Sequence, residues 1–198
     1  MKNFTFAIIT CATSVAFAQG AGSGSAAKAP ADAKAPAADA KKAPMKMEMP
    51  KPPTEVAEMA KTMAGTWKCT GTLFNPMDAT QSMAAKMTMT TKLDPDKAWL
   101  LTTLTGLPTK MMIVTTFDAA SKKWYRITTD GTGGSDTAWG TATGTKTVWE
   151  GESRGMGMKA WKSRTTEEAV SPKETKMMGE MAMDGKTWVK GWEATCKK

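Results

Sequence analysis

Methionine thioethers recur two residues apart at Met45-x-Met47-x-Met49, Met87-x-Met89, Met156-x-Met158 and Met181-x-Met183. In an extended chain that spacing puts the sulfurs on one side, and soft thioethers select Cu(I). Methionine is also 18 of the 198 residues, and unbranched thioethers fill irregular or adaptable apolar interiors. The last three pairs fall in alternating strands, where core residues are needed in any case, so packing or pocket lining is the stronger reading there. Met45, Met47 and Met49 have no core beside them and carry the copper alternative.

Histidine is absent, which removes Ser-His-Asp and Cys-His catalysis and every His-based zinc site. Glu150 and Glu152 share one face of a strand and could do acid/base work. The same alternation fits a solvent-facing strand, the ordinary place for acids. Glu167 and Glu168 read as a surface turn. The chain therefore reads as non-enzymatic, with no cofactor.

Two of the three cysteines, Cys69 and Cys196, fall in the first and last predicted strands. A bond between them requires those strands to be neighbours, the geometry of a closed antiparallel barrel. Closing so long a loop stabilises by about 4 to 5 kcal/mol in the chain-entropy model. The alternative is two buried free thiols.

Lys2 and the apolar run ending in Ala16-Phe17-Ala18 form a signal peptide over residues 1–18, cleaved before Gln19. Cys11 is disfavoured as a lipidation site because Thr10 precedes it. No later stretch approaches the roughly 20 apolar residues of a membrane span. The mature product is expected in a periplasm or outside the cell, where a disulfide persists. Residues 19–53, rich in Ala, Lys and Pro, read as an extended linker.

The formal charge is +8, but only Arg126, Arg154 and Arg164 among the 27 basic residues are arginine. A diffuse lysine coat argues against nucleic-acid binding and allows loose, non-specific attraction to anionic envelope polymers.

Residues 54–198 must position these groups. Pro52-Pro53-Thr54 starts a helix with Thr54 as N-cap, and Val56, Met59, Ala60 and Met63 recur at helical spacing before Gly65. This helix is expected to plug one end of the sheet. The period then becomes two: Trp67, Cys69, Gly71 and Leu73 share a face, then Met83, Ala85, Met87, Met89, Thr91 and Leu93. Further strands are expected at 99–105, 110–117, 123–129, 145–153, 156–166, 174–183 and 186–196, with a weak one at 137–142. Asp184-Gly185 suits a type I′ hairpin. Trp188, Trp192, Ala194 and Cys196 are placed on one side of the last strand. The fold expected is an all-β, antiparallel up-and-down lipocalin-like β-barrel of about ten strands with one short helix.

The triplet Gly65-Thr66-Trp67, opening the first strand after a short helix, is similar to the G-x-W opening of lipocalin and calycin barrels. With "MAGTWKCTGTL", "TTFDAASKKWYRITTDG", "WEGESRG" and "MDGKTWVKGWEATCKK", the chain resembles the bacterial domain of unknown function 1579 family over residues 54–198. The resemblance implies an exported or cytosolic lipocalin-like barrel without an assigned activity. It also implies a basic residue packed on Trp67, for which Arg164, Arg126 and Arg154 are candidates. The related nitrobindin-like proteins hold haem through a histidine, which this chain lacks.

A barrel of this size can enclose a small apolar ligand. Trp67, Met83, Met87, Met89, Met112 and Val114 are the inward residues expected to line it. Copper handling through Met45, Met47 and Met49 and a filled structural envelope domain are the alternatives.

Overall fold

A computed structural model describes residues 50–155 and 157–198. The expected leader, most of the expected linker, Cys11, Met45, Met47, Met49 and Met156 lie outside the described residues. The described chain runs α1 (Thr54–Met63), β1 (Gly65–Asn75), β2 (Asp78–Leu93), β3 (Leu100–Thr105), β4 (Met111–Asp118) and β5 (Lys123–Asp130), then β6 (Ser135–Thr143), β7 (Lys146–Gly155), β8 (Met158–Ser171), β9 (Glu174–Ala182) and β10 (Val189–Lys197).

All ten strands pair antiparallel with their sequence neighbours, and β1 pairs with β10, which closes the barrel. Closure leaves no free strand edge for another chain to extend. Cys69 and Cys196 stand directly opposite each other, their Cα atoms 3.9 Å apart, joined by a disulfide. The segment from 137 to 142, weak in sequence, lies within β6 and pairs on both sides.

Helix α1 plugs the end where β1 begins. Val56 and Ala60 are buried against Leu100, Trp124, Ala138 and Trp149, with Met59, Leu93 and Phe117 around them. Its N-cap is Pro53 rather than Thr54, and no side chain caps it. Fixed φ already suits proline to a helix start. A second cluster joins Trp67, Cys69, Ala85, Met87, Met89, Leu104, Ala194 and Cys196. Trp149 lies flat over Gly140 of the neighbouring strand, where a Cβ would fall 2.7 Å from the indole. Glycine is the residue that lets that ring lie inward.

The lipocalin-like tryptophan contact is made by a different residue from the three arginines expected. Lys198 Nζ sits 4.8 Å from the Trp67 ring centroid, while Trp67 Nε1 donates to the Met63 carbonyl at 2.9 Å. Arg126 instead stacks on Trp149 and Arg164 on Trp188, each 4.4 Å from the centroid. Arg154 pairs with Glu152.

Five other expectations are corrected. The β9–β10 connection is not a two-residue type I′ hairpin. That turn needs positive φ at both central residues, and of the pair only Gly185 has it, at 75°. Residues 183–188 form a longer loop in which Asp184 Oδ1 accepts from the Lys186 and Thr187 amides. A bulge between Lys190 and Trp192 then flips the alternation, so Trp188 meets outward-facing Arg164 while Trp192 points inward.

Strand β8 extends through Ser171, so Glu167 is a strand residue and not a turn. Met158 and Met183, expected on core faces within strands, are exposed at a strand start and in the β9–β10 loop. Met112 and Val114 face outward, because Met111, Ile113, Thr115 and Phe117 take the inward positions of β4. They join Leu101, Tyr125, Ile127 and Trp139 in an apolar stretch of outer wall across β3–β6, where the Tyr125 and Trp139 rings lie 4.8 Å apart.

Candidate functional site at the barrel mouth

The end opposite α1 holds the β5–β6 and β7–β8 turns and a cavity of about 170 Å³. Inward positions supply most of its wall: Met111 from β4, Thr128 and Asp130 from β5, Asp136 from β6, Ser153 from β7 and Trp161 from β8. Alternation in five adjacent strands thus brings a thioether, an indole, two carboxylates and two hydroxyls to one place.

Two hydrogen-bond systems shape this wall. Asp130 Oδ1 accepts from the Thr132 amide at 2.7 Å, the Thr132 hydroxyl at 2.6 Å and the Gly134 amide at 3.0 Å. The Thr132 hydroxyl is the main influence holding the Asp130 carboxyl below its ordinary pKa, and the amides add to it. Gly134 lies against the Asp130 carboxylate, where a Cβ would crowd Oδ2 and push the side chain aside. Asp136 Oδ2 accepts from Ser153 Oγ at 2.7 Å and also from Ser163 Oγ. Both bonds end on one oxygen, which leaves Oδ1 able to accept from a further donor.

Below the cavity lies a buried ion pair that sequence reading missed. Arg126, 7% exposed, donates from Nη1 to Glu167 Oε1 at 2.8 Å. Its Nε and the Nε1 of Trp149 are buried without a hydrogen-bond acceptor among the described residues. Each such donor costs about 1 to 3 kcal/mol when left unpaired. The available signal was the continued period of two through Trp161, Ser163, Thr165 and Glu167.

The residues expected to line a ligand site fall elsewhere. Trp67, Met87 and Met89 point inward but are 2 to 7% exposed and packed in the second cluster, and Met83 is 56% exposed. None of these, nor Met112 or Val114, lines the mouth cavity. Glu150 stands opposite Arg164 on the outer wall, with Glu180 on the far side of that guanidinium. The Glu180 hydrogen bond, at 2.8 Å, and the charges of both carboxylates push the Arg164 pKa up against partial desolvation. Glu150 and Glu152 are thus engaged with separate arginines. A larger concavity of about 410 Å³ lies across β1, β8, β9 and β10. Its side chains are mainly threonine, lysine and glutamate from the solvent-facing register.

No protein-family model matches the chain, and no curated protein matches it. Among solved structures, the chain is similar to Rv2717c from M. tuberculosis at 10% identity and a TM-score of 0.54. The match covers 72% of this chain and 96% of the other. At that identity the likeness is one of fold. No helix among the described residues is long and apolar enough to cross a membrane.

Proposed function

We propose that this protein is an exported, non-enzymatic barrel that binds a small molecule at its open mouth. The supporting observation is the cavity of about 170 Å³ in which Trp161 and Met111 face Asp130, Asp136 and Ser153. An engineered cavity of about 150 Å³ takes benzene, while drug-sized sites run to roughly 300–1,000 Å³. The mouth therefore suits a single ring, or one end of a longer molecule. Its mixed lining gives the largely apolar ligand expected from strand alternation a polar edge. The leader and the cysteine pair support export. The resemblance to domain of unknown function 1579 barrels is compatible with this role.

A filled structural domain is the second reading, favoured by the tight packing of Trp67, Met87 and Met89. Native mass spectrometry of protein purified from its own envelope or medium separates the readings. The expected result is a small organic adduct that Trp161→Ala loses while circular dichroism stays unchanged. A bare chain supports the filled domain and overturns binding. A copper-mass adduct that disappears without Met45, Met47 and Met49 replaces both with metal capture.

A further inference from the structure

We infer that the mouth ligand is an uncharged molecule bearing an oxygen acceptor, which reaches below the cavity to Arg126 Nε and Trp149 Nε1. This rests on the mouth-binding reading. Both atoms are donors only, both are buried, and neither has an acceptor among the described residues. Arg126 Cζ lies 4.4 Å from the Trp149 ring centroid, which sets the two donor-bearing groups against each other.

The register puts this pair beneath the cavity and outside its lining, Arg126 one inward position below Thr128 and Trp149 two below Ser153, where the indole also meets the α1 cluster. From the mouth downward, the inward positions of β5 are Asp130, Thr128 and Arg126, those of β6 are Asp136 and Ala138, and those of β7 are Ser153, Gly151 and Trp149. Beneath Asp136 and Ser153 the wall narrows to Ala138 and Gly151, two of the smallest side chains. Arg126 stands directly across from Ala138.

Charge selects the kind of acceptor. Glu167 already pairs with Arg126, and Glu152 with Arg154 at the rim. The lining also holds two carboxylates, Asp130 and Asp136, which repel a second anion. A neutral carbonyl or hydroxyl oxygen satisfies the donors without that repulsion. An N–H or O–H on the same molecule can serve Asp136 Oδ1. Primary amides and lactams on a single ring carry both groups.

The test titrates the full chain, disulfide intact, with benzamide, benzoate and toluene, and follows the Trp149 indole N–H by NMR. Benzamide is expected to shift that resonance and to bind more tightly than the other two. Trp149→Phe, which keeps an aromatic ring and removes the donor, is expected to weaken benzamide about five- to tenfold and leave toluene unchanged. Tighter benzoate binding, or a Trp149 resonance unmoved at benzamide saturation, overturns the inference. Should Trp149→Phe fail to fold, the wild-type resonance decides alone. Equal binding of toluene and benzamide leaves the mouth reading standing and removes this one. Absence of both probe binding and any native adduct removes both.

Discussion

Lys198 Nζ lies 4.8 Å from the Trp67 ring centroid and donates to the Thr62 carbonyl at 2.7 Å. One ammonium thus joins the end of β10, the start of β1 and the last turn of α1. A cation at a helix C-terminus is favourable, and its placement over an indole adds to that. Replacing Lys198 with methionine is expected to cost about 1 kcal/mol, read as a lowered midpoint in urea. Lys198→Arg should recover most of the loss.

The disulfide closes a sequence separation of 127 residues. Chain entropy assigns it about 5 kcal/mol. The Cys69→Ala, Cys196→Ala double variant should lose a large part of that in equilibrium unfolding, and a reducing agent should destabilise only the parent protein. Equal midpoints with and without reductant would show that strand pairing alone holds the seam.

Glu167→Gln leaves the Arg126 charge buried without its counter-ion. Full burial would make the loss about 3 to 5 kcal/mol. With the Glu167 side chain 24% exposed, about 2 to 3 kcal/mol is expected after solvent screening. Arg126→Met with Glu167→Met should be milder than Glu167→Gln, since no charge is then stranded. Denaturant melts of the three proteins give the order directly.

Gly140→Ala puts a methyl group against the Trp149 indole. Overpacking of this kind costs about 1 to 3 kcal/mol. Loss of near-ultraviolet tryptophan dichroism together with a lowered melting temperature is the expected signature.

Asp184 is held down to a pKa of about 2 from an ordinary 3.8, first by the Thr187 and Lys186 amides and then by the Thr187 hydroxyl. Its folded value is depressed, so its contribution is complete above the unfolded value and is lost as pH falls from about 4 toward 2. The melting-temperature gap between the parent and Asp184→Asn should therefore narrow over that window. A constant gap would show that the carboxylate charge plays no part in the β9–β10 loop.

Closure was legible because Trp67 and Cys69 share one parity and Trp192, Ala194 and Cys196 share another, which lets the cysteines face each other. β4 was not, because "MMIVTTF" is apolar on both faces and a period of two then carries no direction. Its outer residues join an apolar stretch of outer wall in which Met112 and Trp139 are exposed, which reverses the assignment of Met112 and Val114. Glu167 escaped notice because a glutamate pair suggests a turn, although Arg126 across the barrel satisfies it. The bulge near Gly191 could not be seen, since an extra residue leaves composition unchanged while inverting Trp188. The mouth cavity depends on side chains from five strands meeting, a relation that no short motif encodes.

The two ends of the barrel differ in what they offer to an experimenter. Pro50 to Thr54 leads into the plugged end, and Lys198 leaves from that same end. A tether, tag or solid support joined directly at Pro50 or at Lys198 is therefore attached on the far side from Asp136 and Trp161. Fusions should accordingly leave small-molecule access unaltered, whereas insertions in the β5–β6 or β7–β8 turns would obstruct it.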